Sequence, residues 1–152
     1  MSTITSSSHR LDVLHPLPAA VTGALIFGLT MTAGEVFDLN ADSAEGPAIT
    51  AGEVALYVGI VAAAGVIAVW LGLWARAGTP GRLAATALGL ALAAAATYIV
   101  FWSGWPLVFG AVAVVLALEH RRRVGSFGAV TVIALTLGAA ALVAAAITCV
   151  LG

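Results

Sequence analysis

The sequence predicts an all-α fold, a polytopic bundle of five transmembrane helices, and three observations support this prediction. Of its 152 residues, 62% are hydrophobic and only 9% are charged. The apolar residues form long runs without charge, and short polar segments separate these runs. The arginines fall only in alternate polar segments. A soluble domain is typically about 45–50% apolar and about 25% charged, so this chain has too few charges to cover a water-exposed surface.

The first helix is predicted over residues 18–36, after a polar segment. Residues 1–14 are rich in serine and threonine and are expected to form a flexible cytoplasmic tail, whereas residues 15–152 form a single transmembrane bundle. Proline is tolerated in a first helical turn, so Pro16 fits the start of the helix. A cleaved signal peptide is the alternative interpretation, which Met31 disfavours because a cleavage site needs a small residue at that place.

The second helix is predicted over residues 54–75. The sequence from Thr50 to Glu53 matches a capping box, in which the threonine and glutamate side chains bind the free N–H groups of a helix start. Residues 37–53 precede the helix as an acidic connection that is rich in turn-forming residues.

The third and fourth helices are predicted to form a hairpin within the long uncharged run of residues 83–118. A single helix of this length would reach about 54 Å, well beyond the hydrocarbon core of about 30 Å. The dipeptide Ser103–Gly104 and Pro106 interrupt the run, which predicts helices over 83–102 and 106–120. Because the second of these is short, four helices and a re-entrant segment are the alternative architecture.

The last helix is predicted over residues 127–151, and the arginines orient the bundle. All six basic residues of the chain are arginines: Arg10, Arg76, Arg82, Arg121, Arg122 and Arg123. Basic residues are retained in cytoplasmic segments, and five alternating helices place all six on one side. The sequence therefore predicts a cytoplasmic N-terminus, an external C-terminus and a location in the plasma membrane.

Small residues recur at three- and four-residue spacing in three of the predicted helices. They are Gly59, Ala63 and, on a neighbouring face, Gly65 in the second helix, Ala84, Ala87, Ala91 and Ala94 in the third, and Ala134, Gly138, Ala141 and Ala145 in the fifth. Small residues let membrane helices approach closely, so we expect these stripes to pack within the bundle. An interface between copies of the chain is the alternative.

Two glutamates form the candidate ion or proton site. Glu35 and Glu53 occur in an identical pentapeptide, Thr-Ala-Gly-Glu-Val, near the same predicted outer boundary. An ionisable group at the edge of a membrane span is costly and is therefore a functional candidate. The alternative is structural, since Glu53 also completes the capping box.

The run Arg121, Arg122 and Arg123 is the candidate contact for lipid headgroups. Each base near an anionic membrane surface contributes about 1 kcal/mol of attraction. His15 and His120 fall near the same boundary and could in principle ligate a haem iron. Interfacial polar residues are the favoured interpretation of both histidines.

The sequence predicts a non-enzymatic membrane protein that acts as an accessory or scaffolding subunit or interacts with lipid. The chain has no lysine and a single cysteine, Cys149, so no cofactor is expected. The expected partner is the lipid bilayer, with a partner membrane protein or a homo-oligomer as alternatives and no nucleic acid. An alternative function is a small oligomeric transporter or channel that uses Glu35 and Glu53. A third is a pocket for an apolar ligand near Trp70.

Overall fold

The computed structural model describes residues 14–37 and 50–151, without the side chains of Glu35 and Val36. The predicted tail therefore lies outside the described residues, except for Leu14. The described chain is helical throughout and forms α1 (Pro16–Val36), α2 (Ala51–Arg76), α3 (Pro80–Ala96), α4 (Trp105–Val124) and α5 (Ala129–Leu151), with a 3₁₀ segment, Thr97–Ser103, between α3 and α4.

Four of these helices are long and apolar enough to cross a membrane. They cover Pro16–Gly34, Ala51–Arg76, Pro80–Ser103 and Ala129–Leu151. The remaining helix, α4, differs because Glu119 and three arginines occupy its last turns. The described chain is therefore a membrane-embedded helical bundle, as the composition predicts.

All five predicted helices are present, but two of their boundaries differ by four residues or more. The third helix ends at Ala96, because the chain tightens into the 3₁₀ segment there. The fourth continues to Val124, so the arginine run forms its last turn instead of a loop. Arginine is a good helix former and is favourable at a helix C-terminus. Gly125 then ends α4 in the left-handed conformation, with φ of 83°.

The central helix is α4, which contacts the four other long helices. Its side chains are buried on nearly every face, and Leu107 and Leu116 have no exposed surface. The stripes predicted in the third and fifth helices pack around it within the bundle, since all eight of their residues are buried. The stripe predicted in the second helix does not, because Gly59 and Ala63 are exposed in the described chain. Glycines let α4 approach two of its neighbours closely, since Gly23 of α1 meets the backbone of Leu107 and Gly110 of α4 meets the backbone of Gly138 in α5.

The connection between α3 and α4 turns at Gly104, which adopts a left-handed φ of 72°. The Tyr98 hydroxyl and the Thr148 hydroxyl are 2.6 Å apart, which ties the 3₁₀ segment to α5. On the other side of the turn, the Trp105 indole N–H donates to the Ile60 carbonyl at 2.9 Å. Both sides of this turn are thus held by hydrogen bonds to neighbouring helices.

Helices α1 and α2 extend beyond this turn. Gly104 lies against Phe27, in the middle of α1, and against Val61, in the first half of α2. About nine residues of each helix lie beyond this level, a length of about 13 Å at about 1.5 Å a residue. There Met31 of α1 packs against the cluster that contains Cys149 of α5, and the Tyr57 ring of α2 meets the Trp102 ring edge to face with centres 6.5 Å apart. Residues Ala51 to Gly59 are nevertheless exposed.

Candidate functional site

An open groove runs between α1 and α2 and has a volume of about 1150 Å³. We call it the α1–α2 groove. Its lining consists of Leu17, Ala20, Val21, Ala24, Phe27, Gly28, Met31 and Thr32 of α1 and Val54, Tyr57, Val58, Val61, Ala62, Gly65, Val66, Val69, Trp70 and Leu73 of α2. In a bilayer a concave surface of this size is filled by acyl chains or by another helix.

The groove is apolar along most of its length. Among the described side chains that line it, only those of Thr32, Tyr57 and Trp70 carry an oxygen or nitrogen atom, and the Thr32 hydroxyl already donates to the Gly28 carbonyl at 2.7 Å. None of these described lining side chains is charged. Because polar solutes and ions need buried polar groups along their path, this groove suits an apolar occupant.

Bulky residues of α2 form the rim of the groove. Val66 is 71% exposed and Trp70 is 65% exposed within the described chain. The sequence left open whether Trp70 contacts lipid or lines a crevice, and the structure places it in the groove lining. Between these bulky groups, Gly28 and Gly65 have open space where a Cβ atom would lie.

A second feature is a buried charge cluster at one end of the bundle. We call this end, where α2 and α4 finish and α3 and α5 begin, the arginine end. Glu119 is only 6% exposed, and its Oε1 accepts from Arg123 Nε at 2.9 Å. Arg76 approaches the same oxygen at 4.0 Å, and Arg123 Nη1 donates to the Arg76 carbonyl at 3.0 Å. The cluster thus fastens the end of α2 to α4.

Two buried polar atoms next to this cluster have no hydrogen-bond partner in the described chain. They are Oε2 of Glu119 and Nδ1 of His120. Sequence reasoning considered only Glu35 and Glu53 as acids in the hydrophobic layer and missed Glu119. The four-residue spacing between Glu119 and Arg123 on one helix is the signal that could have found it.

Two other arginines of this end stack on aromatic rings. The Arg82 guanidinium lies 4.4 Å from the centre of the Trp74 ring, and that of Arg121 lies 4.8 Å from the Phe127 ring. Such cation–π contacts keep a guanidinium beside apolar surface. Among the described residues, this end of the bundle carries five arginines and one acid, Glu119.

Of the two glutamates in the predicted ion site, only Glu53 has a described side chain, and that side chain belongs to the capping box. The capping box is confirmed, since Thr50 N donates to Glu53 Oε2 at 2.7 Å and Glu53 N donates to Thr50 Oγ1 at 3.3 Å. Glu35 lies in the last turn of α1, at the same end of the α1–α2 pair, and its side chain is outside the described residues. An ion site formed by these two residues stays a prediction.

The three arginines that are predicted to contact lipid headgroups lie in different environments. Arg123 belongs to the charge cluster, Arg121 stacks on Phe127, and Arg122 is exposed at the end of α4. The two histidines also differ, because His120 is buried in α4 whereas Nδ1 of His15 accepts from the backbone N–H of Leu17 at 3.2 Å. Headgroup binding by the arginine run stays a prediction.

The fold and these two features define the chain as a membrane-embedded helical protein with a lateral apolar groove and one positively charged end. Comparison with protein families, with curated proteins and with solved structures finds no match to this chain. Any function must therefore be argued from its own residues.

Proposed function

We propose that this chain is a non-enzymatic, lipid-interacting membrane protein that holds the acyl chains of a phospholipid in the α1–α2 groove. The groove itself is the observation on which the proposal rests. Its volume of about 1150 Å³ slightly exceeds the range of about 300–1,000 Å³ that is typical of small-molecule pockets. An open, elongated and apolar space of this size fits acyl chains better than a compact ligand.

The α2 side of the lining favours lipid over a partner helix, whereas α1 contributes the small residues Ala20, Ala24 and Gly28. Membrane helices associate through small residues, which allow a close and regular contact. Ala62 and Gly65 are the only small residues that α2 contributes to the groove, and its other lining residues are branched or aromatic. A flexible acyl chain can fit between such side chains, whereas a rigid helix needs a matching surface.

The same proposal includes the topology. All five helices cross the plasma membrane, with α4 shielded at the centre, the N-terminus in the cytoplasm and the C-terminus outside. The five described arginines lie at one end of the bundle, which supports a cytoplasmic arginine end by the positive-inside rule. The role is that of an accessory subunit, and a partner protein or second copy would bind outside the groove.

Filling the groove tests the proposal. Gly65→Leu places a larger side chain in the open space of the groove, and Gly59→Leu is the matched control because it lies on the same helix with open space but outside the lining. We expect Gly65→Leu to reduce severalfold the phospholipid that stays bound after purification, and Gly59→Leu to leave it unchanged. Native mass spectrometry of the protein released from nanodiscs measures the bound lipid. Equal retention by both variants would contradict the proposal, as would a protein helix or a second copy in the groove.

The alternative transporter or channel has a separate test in its two glutamates. The Glu53 carboxylate is engaged in the capping box, which supports a structural role for it. We expect the wild-type protein, like Glu35→Gln and Glu53→Gln, to give a proton and cation flux into proteoliposomes no greater than that of protein-free vesicles, at acidic and alkaline pH alike. A pH-dependent flux that either variant abolishes would establish the transporter instead.

A further inference from the structure

We propose that the α1–α2 groove binds the ammonium group of a zwitterionic phospholipid headgroup at Glu53 and Tyr57, at the end opposite the arginine end. This inference rests on the proposed function and specifies the lipid class that the groove selects. Thr32 of α1 and Val54 of α2 are the lining residues farthest from the arginine end. We call this end of the groove the glutamate end.

Glu53 places a carboxylate where the apolar lining stops. It directly precedes Val54 and lies four residues before the groove residue Tyr57, so it continues the face of α2 that carries Tyr57, about 6 Å further along the axis. Its Oε2 accepts from Thr50 N at 2.7 Å and lies 2.9 Å from Thr50 Oγ1. These contacts hold the carboxylate in place, whereas Oε1 has no hydrogen bond within the described chain and can accept one from a ligand.

Tyr57 offers the ammonium group an aromatic ring within the groove lining. Its ring meets that of Trp102 edge to face, with centres 6.5 Å apart and planes at 84°. Because Trp102 belongs to the 3₁₀ segment before the α3–α4 turn, this contact fixes the Tyr57 ring beside that turn. Tyr57 is 40% exposed and Trp102 is 44% exposed, so ring surface remains open. A cation within about 6 Å of a ring centre is attracted to the face of the ring.

The position of Glu53 along α2 suits a headgroup. Glu53 and Arg76 are 23 residues apart, which corresponds to about 35 Å along a helix, and the hydrocarbon core of a bilayer is about 30 Å thick. When the arginine end lies at one surface of this core, Glu53 therefore lies at the other, where the headgroups begin. The acyl chains of a lipid with its headgroup at Glu53 enter the groove past Tyr57 and run toward Gly65.

The charge at the glutamate end selects an ammonium group. From Glu35 to Glu53 the sequence has five acids and no base, and the five described arginines all lie at the opposite end. A helix N-terminus carries only about half a positive charge, so the full negative charge of Glu53 dominates there. This charge repels a headgroup that is negative overall, such as that of phosphatidylglycerol. Phosphatidylethanolamine instead presents an ammonium group, whose three N–H donors suit the free carboxylate oxygen.

The test uses the full-length protein in nanodiscs that contain equal amounts of phosphatidylethanolamine and phosphatidylglycerol with identical chains. Native mass spectrometry identifies the groove lipid as the retained lipid that Gly65→Leu loses, and we expect it to be enriched severalfold in phosphatidylethanolamine. Glu53→Gln should abolish this enrichment while lipid is still retained, because glutamine also completes a capping box but carries no charge. Tyr57→Leu should reduce it. Glu119→Gln is the matched control, since it makes the same change at the arginine end, and it should keep the enrichment.

The outcomes separate the two proposals. Groove lipid without any preference for phosphatidylethanolamine, or equal loss of the preference in Glu53→Gln and Glu119→Gln, would overturn the headgroup site and leave the groove proposal standing. Absence of groove lipid in the wild-type protein would overturn both. If Tyr57→Leu fails to fold, Glu53→Gln alone decides, because Glu53 is exposed and its replacement preserves the start of α2.

Discussion

Replacing Arg123 with alanine is expected to destabilise the fold by about 3 kcal/mol, because the change leaves a buried carboxylate without its closest counter-charge. Glu119 is 6% exposed, and Arg123 donates its shortest hydrogen bond, at 2.9 Å. Arg76 remains at 4.0 Å from the same oxygen and compensates only in part. The shift of the unfolding transition on titration with SDS in mixed micelles measures the change in the free energy of unfolding.

The matched control, Glu119→Gln, removes the negative charge of the ion pair instead of the positive one. In Glu119→Gln the side chain keeps its size and stays neutral, and Arg123 can extend its guanidinium to the membrane surface. We expect this variant to lose much less stability, and the double variant with Arg123→Ala to be more stable than Arg123→Ala alone. Strictly additive effects in this double-mutant cycle would show that the two side chains do not interact.

The second large effect is expected from Gly23→Ala, which should destabilise the fold by about 2 kcal/mol through overpacking. A Cβ atom at Gly23 would lie 2.6 Å from the carbonyl oxygen of Leu107 and 2.9 Å from the Cα of Val108. Both are backbone atoms of α4, so relief requires that whole helices move apart. Thermal unfolding in a mild detergent, followed by loss of the monodisperse chromatographic peak, should show a lower midpoint.

Gly28→Ala is the control for this substitution, because it lies on the same helix and no atom comes within 4 Å of its added Cβ. Alanine is favoured over glycine in a helix interior by about 1 kcal/mol, so this variant should be as stable as the wild type or more stable. If both variants changed stability equally, close contact between α1 and α4 would not contribute to the fold.

Much of the fold could be predicted from the sequence because lipid imposes simple rules. Uncharged runs of membrane-spanning length located the helices, and the turn at Gly104 followed from a run that was too long for one helix. The capping box at Thr50 is a local pattern that depends on adjacent residues alone. The small-residue stripe that contains Gly138 was correctly assigned to packing within the bundle.

The site could not be predicted because the helices are apolar on every side. A soluble helix reveals its buried face through an apolar stripe, but here lipid and protein contacts use the same residues. Nothing in the sequence therefore indicated that α4 lies at the centre or that α1 and α2 leave a groove. For the same reason the hydrogen bond from Trp105 to the Ile60 carbonyl of α2 has no counterpart in the sequence pattern.

The extension of α2 beyond the α3–α4 turn gives one protein two hydrophobic lengths. The 26 residues of α2 correspond to about 39 Å, whereas the 21 residues of α1 and the 23 residues of α5 correspond to about 32 Å and about 35 Å. A bilayer matched to the shorter helices is too thin for the longer one, so α2 must tilt or the lipid beside it must stretch. The free-energy cost of this mismatch arises on the groove side of the molecule, and it becomes smaller as the bilayer becomes thicker. The protein should accordingly partition toward thicker membranes, and lipids with longer chains should gather along α1 and α2.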